Sequence, residues 1–276
     1  MISHLREGRS QSRPALTASM IFGARGAARR ISLVAGAAAA LLVLSASSSS
    51  SQAPGAGYRT FRPDSPGPHP AVVFLSGCDG FAPSLAPAVY ERRAEHLRAL
   101  GHVVVFADYL GRRGLKTCGG AITHHDAARD LVAAAAWLRS QSAVDGSRIT
   151  AMGWSFGGRG VLAALAAPPD GGLPFSRAVV FYPDCRLLEP WKPALPVLML
   201  LGGGDEMTPA KPCQEAAARV ANPAAARIVV YPGALHAFDV PDLPAKMRFG
   251  FATIGYHPEA AAAAQKEVEQ FLRAGR

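Results

Sequence analysis

Residues 149–158 read ITAMGWSFGG, and this stretch decides the fold class that the sequence predicts. Ile149–Met152 is short and mostly apolar, as in a buried strand, and Phe156–Ala167 is small and apolar, as in a helix. Between them lies a G-x-S-x-G pattern centred on Ser155. Such a turn presents a serine as a nucleophile, and small residues two positions away avoid clashes in it. We therefore predict a strand, a sharp turn with a nucleophilic Ser155, and a helix. An ordinary strand–helix turn is the alternative.

Similar short apolar runs recur on both sides of this stretch, without the alternation of a half-exposed strand. They are Ala71–Leu75, Val103–Ala107, Ala178–Tyr182, Val197–Leu201 and Ile228–Tyr231. Stretches with helical character lie between or after them, at Val89–Leu100, Asp126–Ser140, Phe156–Ala167, Pro209–Val220 and Glu259–Leu272. Strands that are apolar on both faces belong to a parallel sheet covered by helices. The order therefore predicts an α/β fold with a mostly parallel, doubly wound sheet flanked by helices, and Tyr58–Arg62 is a candidate edge strand.

Length and charge narrow the functional classes. The chain has 276 residues, 49% of them hydrophobic, which suits one domain with a full-sized core. The formal net charge is +9, but residues 1–53 hold six arginines and one glutamate, or 6 − 1 = +5, which leaves 9 − 5 = +4 for the rest. No cluster of five basic residues occurs in that remainder. The sequence therefore does not favour nucleic acid as a partner.

The first 53 residues have the layout of a secretory signal peptide. A basic stretch ends at Arg29-Arg30, the 14-residue apolar run Ile31–Leu44 follows, and small residues with a serine run, Ser47–Ser51, come next. A spanning helix needs about 20 apolar residues, so an uncleaved anchor is the weaker alternative. We predict a signal peptide with a serine-rich segment at 1–53, a folded domain at 54–276, and export to the periplasm or the medium without a stable membrane span.

The cysteines fit this prediction of export. All four lie in the mature part of the chain, and an even number in an oxidising compartment indicates two disulfides. Their spacing alone leaves three pairings open. A zinc site is the alternative, but the chain has no C-x-x-C pair. The four residues are Cys78, Cys118, Cys185 and Cys213.

Loops at the carboxyl ends of the predicted strands hold the other candidate site residues, because ligands bind at that edge of such sheets. Residues 76–80, SGCDG, follow the first predicted strand. We predict that the backbone N–H groups of Cys78 and Phe156 stabilise an oxyanion. The alternatives for Cys78 are a catalytic thiol and a plain glycine turn.

An acid and a base are predicted in two later loops. Asp205 follows three glycines after the strand at Val197–Leu201 and is the candidate acid, although Asp205 or Thr208 could instead simply cap the next helix. Asp184 is the second candidate for the acid. His236 follows the last predicted strand and is the candidate base, whereas His257 directly precedes a helix. A serine, an acid and a histidine in that chain order are typical of the α/β-hydrolase arrangement.

Together the motifs S-G-C-D-G, G-W-S-F-G-G, G-G-G-D-E-M-T-P and Y-P-G-A-L-H-A-F-D resemble the dienelactone hydrolase family, from about Pro70 to the C-terminus. The resemblance implies an α/β-hydrolase core without a large cap domain, hydrolysis of a carboxylic ester or lactone, and no cofactor. The founding members of the family use a cysteine nucleophile, and here that position holds Ser155. This departure favours a broader esterase over an enzyme for dienelactone.

The resemblance also implies roles for further residues. Family members hold a substrate carboxylate with arginines, so Arg112 and Arg113 are candidates for that contact, with surface arginines as the alternative. Trp154, next to the nucleophile, is a further candidate for substrate contact. In the implied fold, Cys78 and Cys118 follow neighbouring strands, as do Cys185 and Cys213. The resemblance therefore predicts the disulfides Cys78–Cys118 and Cys185–Cys213.

These observations predict an exported serine hydrolase that cleaves a small-molecule ester or lactone through an acyl-enzyme on Ser155. A non-catalytic exported binding protein on the same fold is the main alternative. A peptidase or an acyltransferase of the same superfamily also remains open. The sequence gives no indication of the oligomeric state.

Overall fold

The computed structural model describes residues 57–186, 188 and 191–274. The predicted signal peptide and serine-rich segment at 1–53 therefore lie outside the described residues, and their prediction stays a prediction. Within the described part, no helix is both long enough and apolar enough to span a bilayer.

A seven-stranded sheet forms the centre of the domain, with the strand order β1-β3-β2-β4-β5-β6-β7. All neighbouring strands are parallel except β1, which pairs antiparallel with β3 at one edge. The predicted fold class, a mostly parallel sheet flanked by helices, is confirmed. The strands are β1 (Thr60–Phe61), β2 (His69–Leu75), β3 (Val103–Phe106), β4 (Val144–Trp154), β5 (Arg177–Phe181), β6 (Val197–Gly202) and β7 (Ala226–Tyr231).

In the described part of the chain, five helices cover the two faces of the sheet. They are α1 (Val89–Ala99), α2 (His124–Arg139), α3 (Phe156–Ala166), α4 (Ala210–Ala218) and α5 (Pro258–Arg273). Buried residues of α2, α3 and α4 pack on one face, and those of α1 and α5 pack on the other. The strands have buried side chains on both faces. Along β2, Ala71, Val73 and Leu75 pack on the face of α2, α3 and α4, whereas Val72 and Phe74 pack on the face of α1 and α5. This double burial explains why the strands lack apolar–polar alternation.

Local chemistry explains two differences from the predicted boundaries. Helix α2 begins at His124, two residues early, because Thr123 and Asp126 form a reciprocal capping box at its N-terminus. Strand β4 is much longer than the predicted Ile149–Met152, since its polar first half also pairs with β2, where His69 faces Val144. The far end of β4 reaches Trp154, so that Ser155 directly follows the strand.

The order of the strands reverses direction at β2. From β2 the chain moves outward to β3 and then returns to β4 on the opposite side of β2. The connecting helices follow the same division, since α1 lies on one face and α2 lies on the other. Ligands of open α/β sheets bind at such a reversal, beyond the carboxyl ends of the strands. The loops that follow β2 and β4 therefore meet at the expected position of a site.

A small hairpin beyond the main sheet was absent from the sequence prediction. Its strands, β8 (Met247–Phe249) and β9 (Ala252–Ile254), pair antiparallel. Ile254 forms a single bridge with His236, and the backbone N–H of Gly255 donates to the carbonyl of His236. The hairpin therefore holds the loop that carries the candidate base.

Candidate active site

Ser155 lies in a sharp turn between β4 and α3. Its backbone has φ 50° and ψ −117°, a conformation with positive φ that a non-glycine residue rarely adopts. The turn is tight enough to require its two glycines. A Cβ atom on Gly153 would lie 2.5 Å from the carbonyl oxygen of Gly157, and one on Gly157 would lie 2.3 Å from that of Ser76. The strained turn and its glycines are the arrangement in which a serine is presented as a nucleophile.

The structure brings the three predicted triad residues together from distant parts of the chain. The His236 Nε2 atom lies 3.0 Å from the hydroxyl of Ser155, and its Nδ1 atom lies 2.7 Å from Asp205 Oδ2. The side chains of His236 and Asp205 are 8% and 0% exposed, respectively. A buried carboxylate at Nδ1 sets the imidazole tautomer that leaves Nε2 free to accept the serine proton.

Asp205 is held by a set of donors in its own loop. The backbone N–H groups of Met207 and Thr208 donate to Oδ1 at 2.8 and 2.9 Å, and the Thr208 hydroxyl lies 2.9 Å from Oδ2. That hydroxyl is also 3.0 Å from both His236 Nδ1 and the carbonyl of Tyr182. Sequence reasoning considered Thr208 only as a helix cap. Instead, its hydroxyl contacts both the acid and the base.

The alternative acid and base make other contacts. Asp184 accepts hydrogen bonds from Arg159 and Arg186. Burial by itself would raise the pKa of Asp184, but the hydrogen bonds and charges of these arginines outweigh burial and lower it. His257 accepts the N–H of Ala260 and caps the N-terminus of α5. Neither residue takes part in the hydrogen bonds that join Ser155, His236 and Asp205.

The loop after β2 approaches Ser155 closely, since a Cβ atom on Gly77 would lie 3.8 Å from that of Ser155. Two tyrosines fix the loop: the Gly77 N–H donates to the Tyr90 hydroxyl at 2.7 Å, and the Tyr109 hydroxyl donates to the Gly77 carbonyl at 2.8 Å. Burial raises the pKa of Tyr90 to about 12, so this hydroxyl stays neutral at ordinary pH. Phe156 directly follows Ser155, and its N–H is the first of α3.

Both pairs of cysteines form disulfides, with the connections Cys78–Cys118 and Cys185–Cys213. The first bridge joins the loop after β2 to the segment that precedes α2, and a backbone hydrogen bond from the Cys118 N–H to the Cys78 carbonyl runs beside it. The second bridge joins the loop after β5 to α4. Among the described residues, no group of three or more His, Cys, Asp or Glu side chains is placed to hold a metal ion.

Both arginines predicted for substrate contact lie on a short 3₁₀ turn at Gly111–Arg113. Arg113 pairs with Asp130 and donates to the carbonyl of Tyr109. The guanidinium of Arg112 lies 5.5 Å from the ring centre of Tyr58. Neither arginine lines the cavity beside Ser155.

A buried hydrogen-bonded cluster that the sequence analysis missed lies behind the triad. Asp239, three residues after His236, accepts from Trp154 Nε1 at 3.0 Å, from the Tyr182 hydroxyl at 2.7 Å and from Arg93 at 2.5 Å. Trp154 directly precedes the nucleophile, and the Tyr182 ring packs 4.6 Å from the ring of His236. The Asp239 carboxylate therefore links the segment of the nucleophile to the surroundings of the base.

Arg93 of α1 extends this cluster towards the loop after β2. Its guanidinium lies 4.8 Å from the ring centre of Trp154 and 5.2 Å from that of Tyr90. Burial alone would lower the pKa of Arg93, but the charge and hydrogen bond of Asp239, together with the nearby Tyr182 and Tyr90, outweigh burial and raise it. An acid in the otherwise apolar run A-F-D-V was the one sequence signal for this pair. Arg93 itself could not be singled out, because it lies among the several charged residues of α1.

Two cavities adjoin the cluster. The first, about 130 Å³, opens beside Ser155 and His236 and is mostly apolar, with Val240, Leu243 and Ile254 in its wall. The second, about 350 Å³, lies between α1 and α5. Trp154 and Arg93 line both cavities, so Trp154 does lie at the wall of the space next to the nucleophile.

The model of the dienelactone hydrolase family matches residues 57–275, which is most of the chain and includes every site residue described above. The chain belongs to the dienelactone hydrolase family. Family membership agrees with the predicted resemblance and supports a hydrolase.

Relatives and solved structures add detail to this family assignment. Uncharacterized proteins from two strains of Mycobacterium tuberculosis are 32% identical over 191 residues, covering 62% of this chain and 64% of theirs, so the match spans less than two thirds of their length. The solved structure of a protein of Klebsiella pneumoniae that is predicted to be a dienelactone hydrolase is 21% identical, with a TM-score of 0.63. The match covers 78% of this chain and 92% of that chain. An esterase of Thermogutta terrifontis with bound propionate is 19% identical, with TM-score 0.57 and coverage of 79% and 88%. These structures share the fold.

Proposed function

We propose that this protein is a serine hydrolase that cleaves a carboxylic ester through an acyl-enzyme on Ser155. The observation that carries the proposal is the chain of contacts from Ser155 to His236 at 3.0 Å and from His236 to Asp205 at 2.7 Å. An activated serine needs both a base within hydrogen-bonding distance and a group that orients the base. The strained turn at Ser155 and the family match support the same conclusion.

In the proposed reaction, His236 Nε2 accepts the proton of Ser155 as the serine oxygen attacks the ester carbonyl. The backbone N–H groups of Phe156 and Cys78 stabilise the negative charge on the carbonyl oxygen. The imidazolium, stabilised by Asp205, then gives its proton to the leaving alcohol. Water, activated by the same imidazole, cleaves the acyl-enzyme and restores Ser155.

The cavity favours a small and uncharged group at the reaction centre. Its volume of about 130 Å³ is slightly below the roughly 150 Å³ of an engineered apolar cavity that binds benzene. The one arginine in its wall is Arg93, whose charge is already neutralised by Asp239. A substrate carboxylate therefore finds no unpaired arginine among the lining residues, which favours neutral esters over dienelactone. The Thermogutta esterase, of the same fold, has been solved with propionate and with butyrate bound.

We also propose that the protein is exported. Two disulfides persist in an oxidising compartment, and the layout of residues 1–53 is that of a signal peptide. Sequencing the N-terminus of protein recovered from outside the cytoplasm would test this. We expect the mature chain to begin close to residue 54, and a chain that begins at Met1 would refute cleavage.

Turnover of p-nitrophenyl acetate by the purified protein and by Ser155→Ala tests the catalytic proposal. We expect the variant to lose activity by a factor on the order of 10⁶ and to keep its circular dichroism spectrum and melting temperature. A fluorophosphonate probe should label the native protein and not the variant. If the native protein neither turns over esters nor reacts with the probe, it is a binding protein on this fold. If Ser155→Ala retains activity, the nucleophile is another residue.

A further inference from the structure

Exposed large hydrophobic side chains lie in the wall of the cavity beside Ser155 and in the hairpin next to it. Among the residues that the structure describes, three such side chains are exposed: Leu85 at 40%, Phe249 at 40% and Phe251 at 70%. Leu85 and Phe249 line that cavity, and Phe251 lies two residues beyond Phe249 in the hairpin β8–β9. We name these three side chains the apolar rim. Single exposed apolar residues are ordinary, but a group of them beside a cavity indicates a binding surface.

The hairpin that carries two of these residues is anchored to the rest of the site. Ala252 and Ile254 are buried, and Ile254 bridges to His236. The backbone N–H of Thr253 donates to Glu206, which directly follows the candidate acid. Since the buried residues of the hairpin already fix its position, Phe249 and Phe251 are not needed to hold it in place. Their exposure therefore calls for an explanation other than packing.

We infer that the apolar rim binds one apolar arm of the ester substrate where that arm leaves the cavity. This inference rests on the proposed function. The cavity of about 130 Å³ has room for a short group on one side of the ester bond. A second, longer group must then leave the cavity past its mouth, where the side chains in contact with it are those of the rim. The structure therefore assigns to this enzyme esters with one short and one long apolar arm.

The test uses ethyl acetate, hexyl acetate and ethyl hexanoate as soluble substrates in a pH-stat assay. In the native protein we expect kcat/KM to be about tenfold higher for the better of the two long-armed esters than for ethyl acetate, because added buried CH₂ groups strengthen binding. In Phe249→Ser/Phe251→Ser this advantage should fall to about twofold or less, because the long arm loses more apolar contacts than the short arms of ethyl acetate do. Arg248→Ser is the matched control, since it changes an exposed side chain of the same hairpin, and it should keep the native ratio.

An equal loss on short and long substrates would show that the substitutions disturb the triad, and it would overturn the inference. An unchanged ratio would overturn it as well. A second copy of the chain could also bind such an apolar surface, and size-exclusion chromatography tests this. If the native protein is a dimer and the double variant is a monomer, the rim is a subunit interface and the inference is wrong.

A binding measurement keeps the inference testable if the protein has no esterase activity. Retention of Ser155→Ala on octyl-agarose is compared with that of the same variant carrying Phe249→Ser and Phe251→Ser. Reduced retention of the triple variant supports an accessible apolar rim, and equal retention overturns it. Failure of the proposed function would instead appear as a native protein that neither hydrolyses these esters nor reacts with fluorophosphonate.

Discussion

Removing each disulfide in turn separates its contribution to stability from its contribution to catalysis. The pairs Cys78–Cys118 and Cys185–Cys213 are 40 and 28 residues apart in sequence. In the chain-entropy model, closing loops of these lengths stabilises the folded state by roughly 3.9 and 3.6 kcal/mol, respectively. We therefore expect Cys78→Ala/Cys118→Ala and Cys185→Ala/Cys213→Ala to lose similar free energies of unfolding, about 3–4 kcal/mol each.

Catalysis should respond to only one of these losses. Cys78 belongs to the loop that contributes a proposed oxyanion donor, and a Cβ on its neighbour Gly77 would lie 3.8 Å from that of Ser155. Alanine keeps the backbone N–H of residue 78 but releases the loop from the segment around Cys118. Complete loss of an oxyanion donor lowers kcat by about 10²–10³, so a loosened donor should lower it by about tenfold. The pair Cys185–Cys213 lies in the loop after β5 and in α4, and its removal should leave kcat within about twofold.

Urea unfolding followed by fluorescence gives the free energies, and kcat for p-nitrophenyl acetate is measured at a temperature where both variants are folded. Treatment of the native protein with dithiothreitol provides an independent check, since it removes both bridges without substitution. Equal kcat losses in the two double variants would refute a specific role of the first bridge. A loss of unfolding free energy below about 1 kcal/mol in either variant would refute the entropic argument for that bridge.

Three other perturbations test the surroundings of the triad. Thr208→Val removes the hydroxyl that contacts Asp205 and His236. Because a hydrogen bond to a charged group is worth about 1.5–3 kcal/mol, kcat/KM should fall roughly 10- to 150-fold, whereas Thr208→Ser should keep most of the native value. An unaltered kcat/KM in the valine variant would exclude a role of this hydroxyl in catalysis. Asp239→Asn leaves Arg93 unpaired in a site where the two side chains are 8% and 17% exposed, so unfolding experiments should show a loss of about 3–5 kcal/mol. Asp242→Asn breaks an exposed pair and should lose no more than about 1 kcal/mol; similar losses for the two would contradict the assignment of a buried pair. Burial raises the pKa of several tyrosines above the ordinary value of 10.0, and that of Tyr90 to about 12. Above pH 10 the folded state therefore binds more protons than the unfolded chain. The free energy of unfolding should then fall by up to about 1.4 kcal/mol per pH unit for each of these tyrosines. Urea titrations between pH 8 and 11.5 measure this, and a flat profile would contradict it; the tyrosines are Tyr90, Tyr109, Tyr182 and Tyr231.

The parts of the fold that sequence reasoning reached are those with a local chemical signature. The apolar strands on both sides of Ser155 could be recognised because each is buried on two faces. The order of Ser155, Asp205 and His236 along the chain indicated which side chains should meet, and the structure places them within hydrogen-bonding distance. The turn at Ser155 could be predicted because positions 153 and 157 have no space for a Cβ atom, and both therefore hold glycine.

The features that sequence reasoning missed depend on contacts between distant segments. Arg93 and Asp239 are 146 residues apart, and no local pattern marks them as partners. The hairpin β8–β9 has strands of three residues each, too short for any periodicity. The candidate pair Arg112 and Arg113 was placed correctly in a loop after a strand, but the direction of each side chain depends on Tyr58 and Asp130, which the sequence could not locate.

The reversal of strand order at β2 has a consequence for how such a molecule can change. Because α1 and α2 depart to opposite faces, the proposed reaction centre lies where the winding of the chain divides, and the segments around it are loops that follow the carboxyl ends of the strands. A longer insertion after β2, β6 or β7 would cover Ser155 without moving the strands that position it. New substrate preferences could therefore arise on this scaffold by lengthening one loop at a time, while the hydrogen-bonded residues beneath remain as they are.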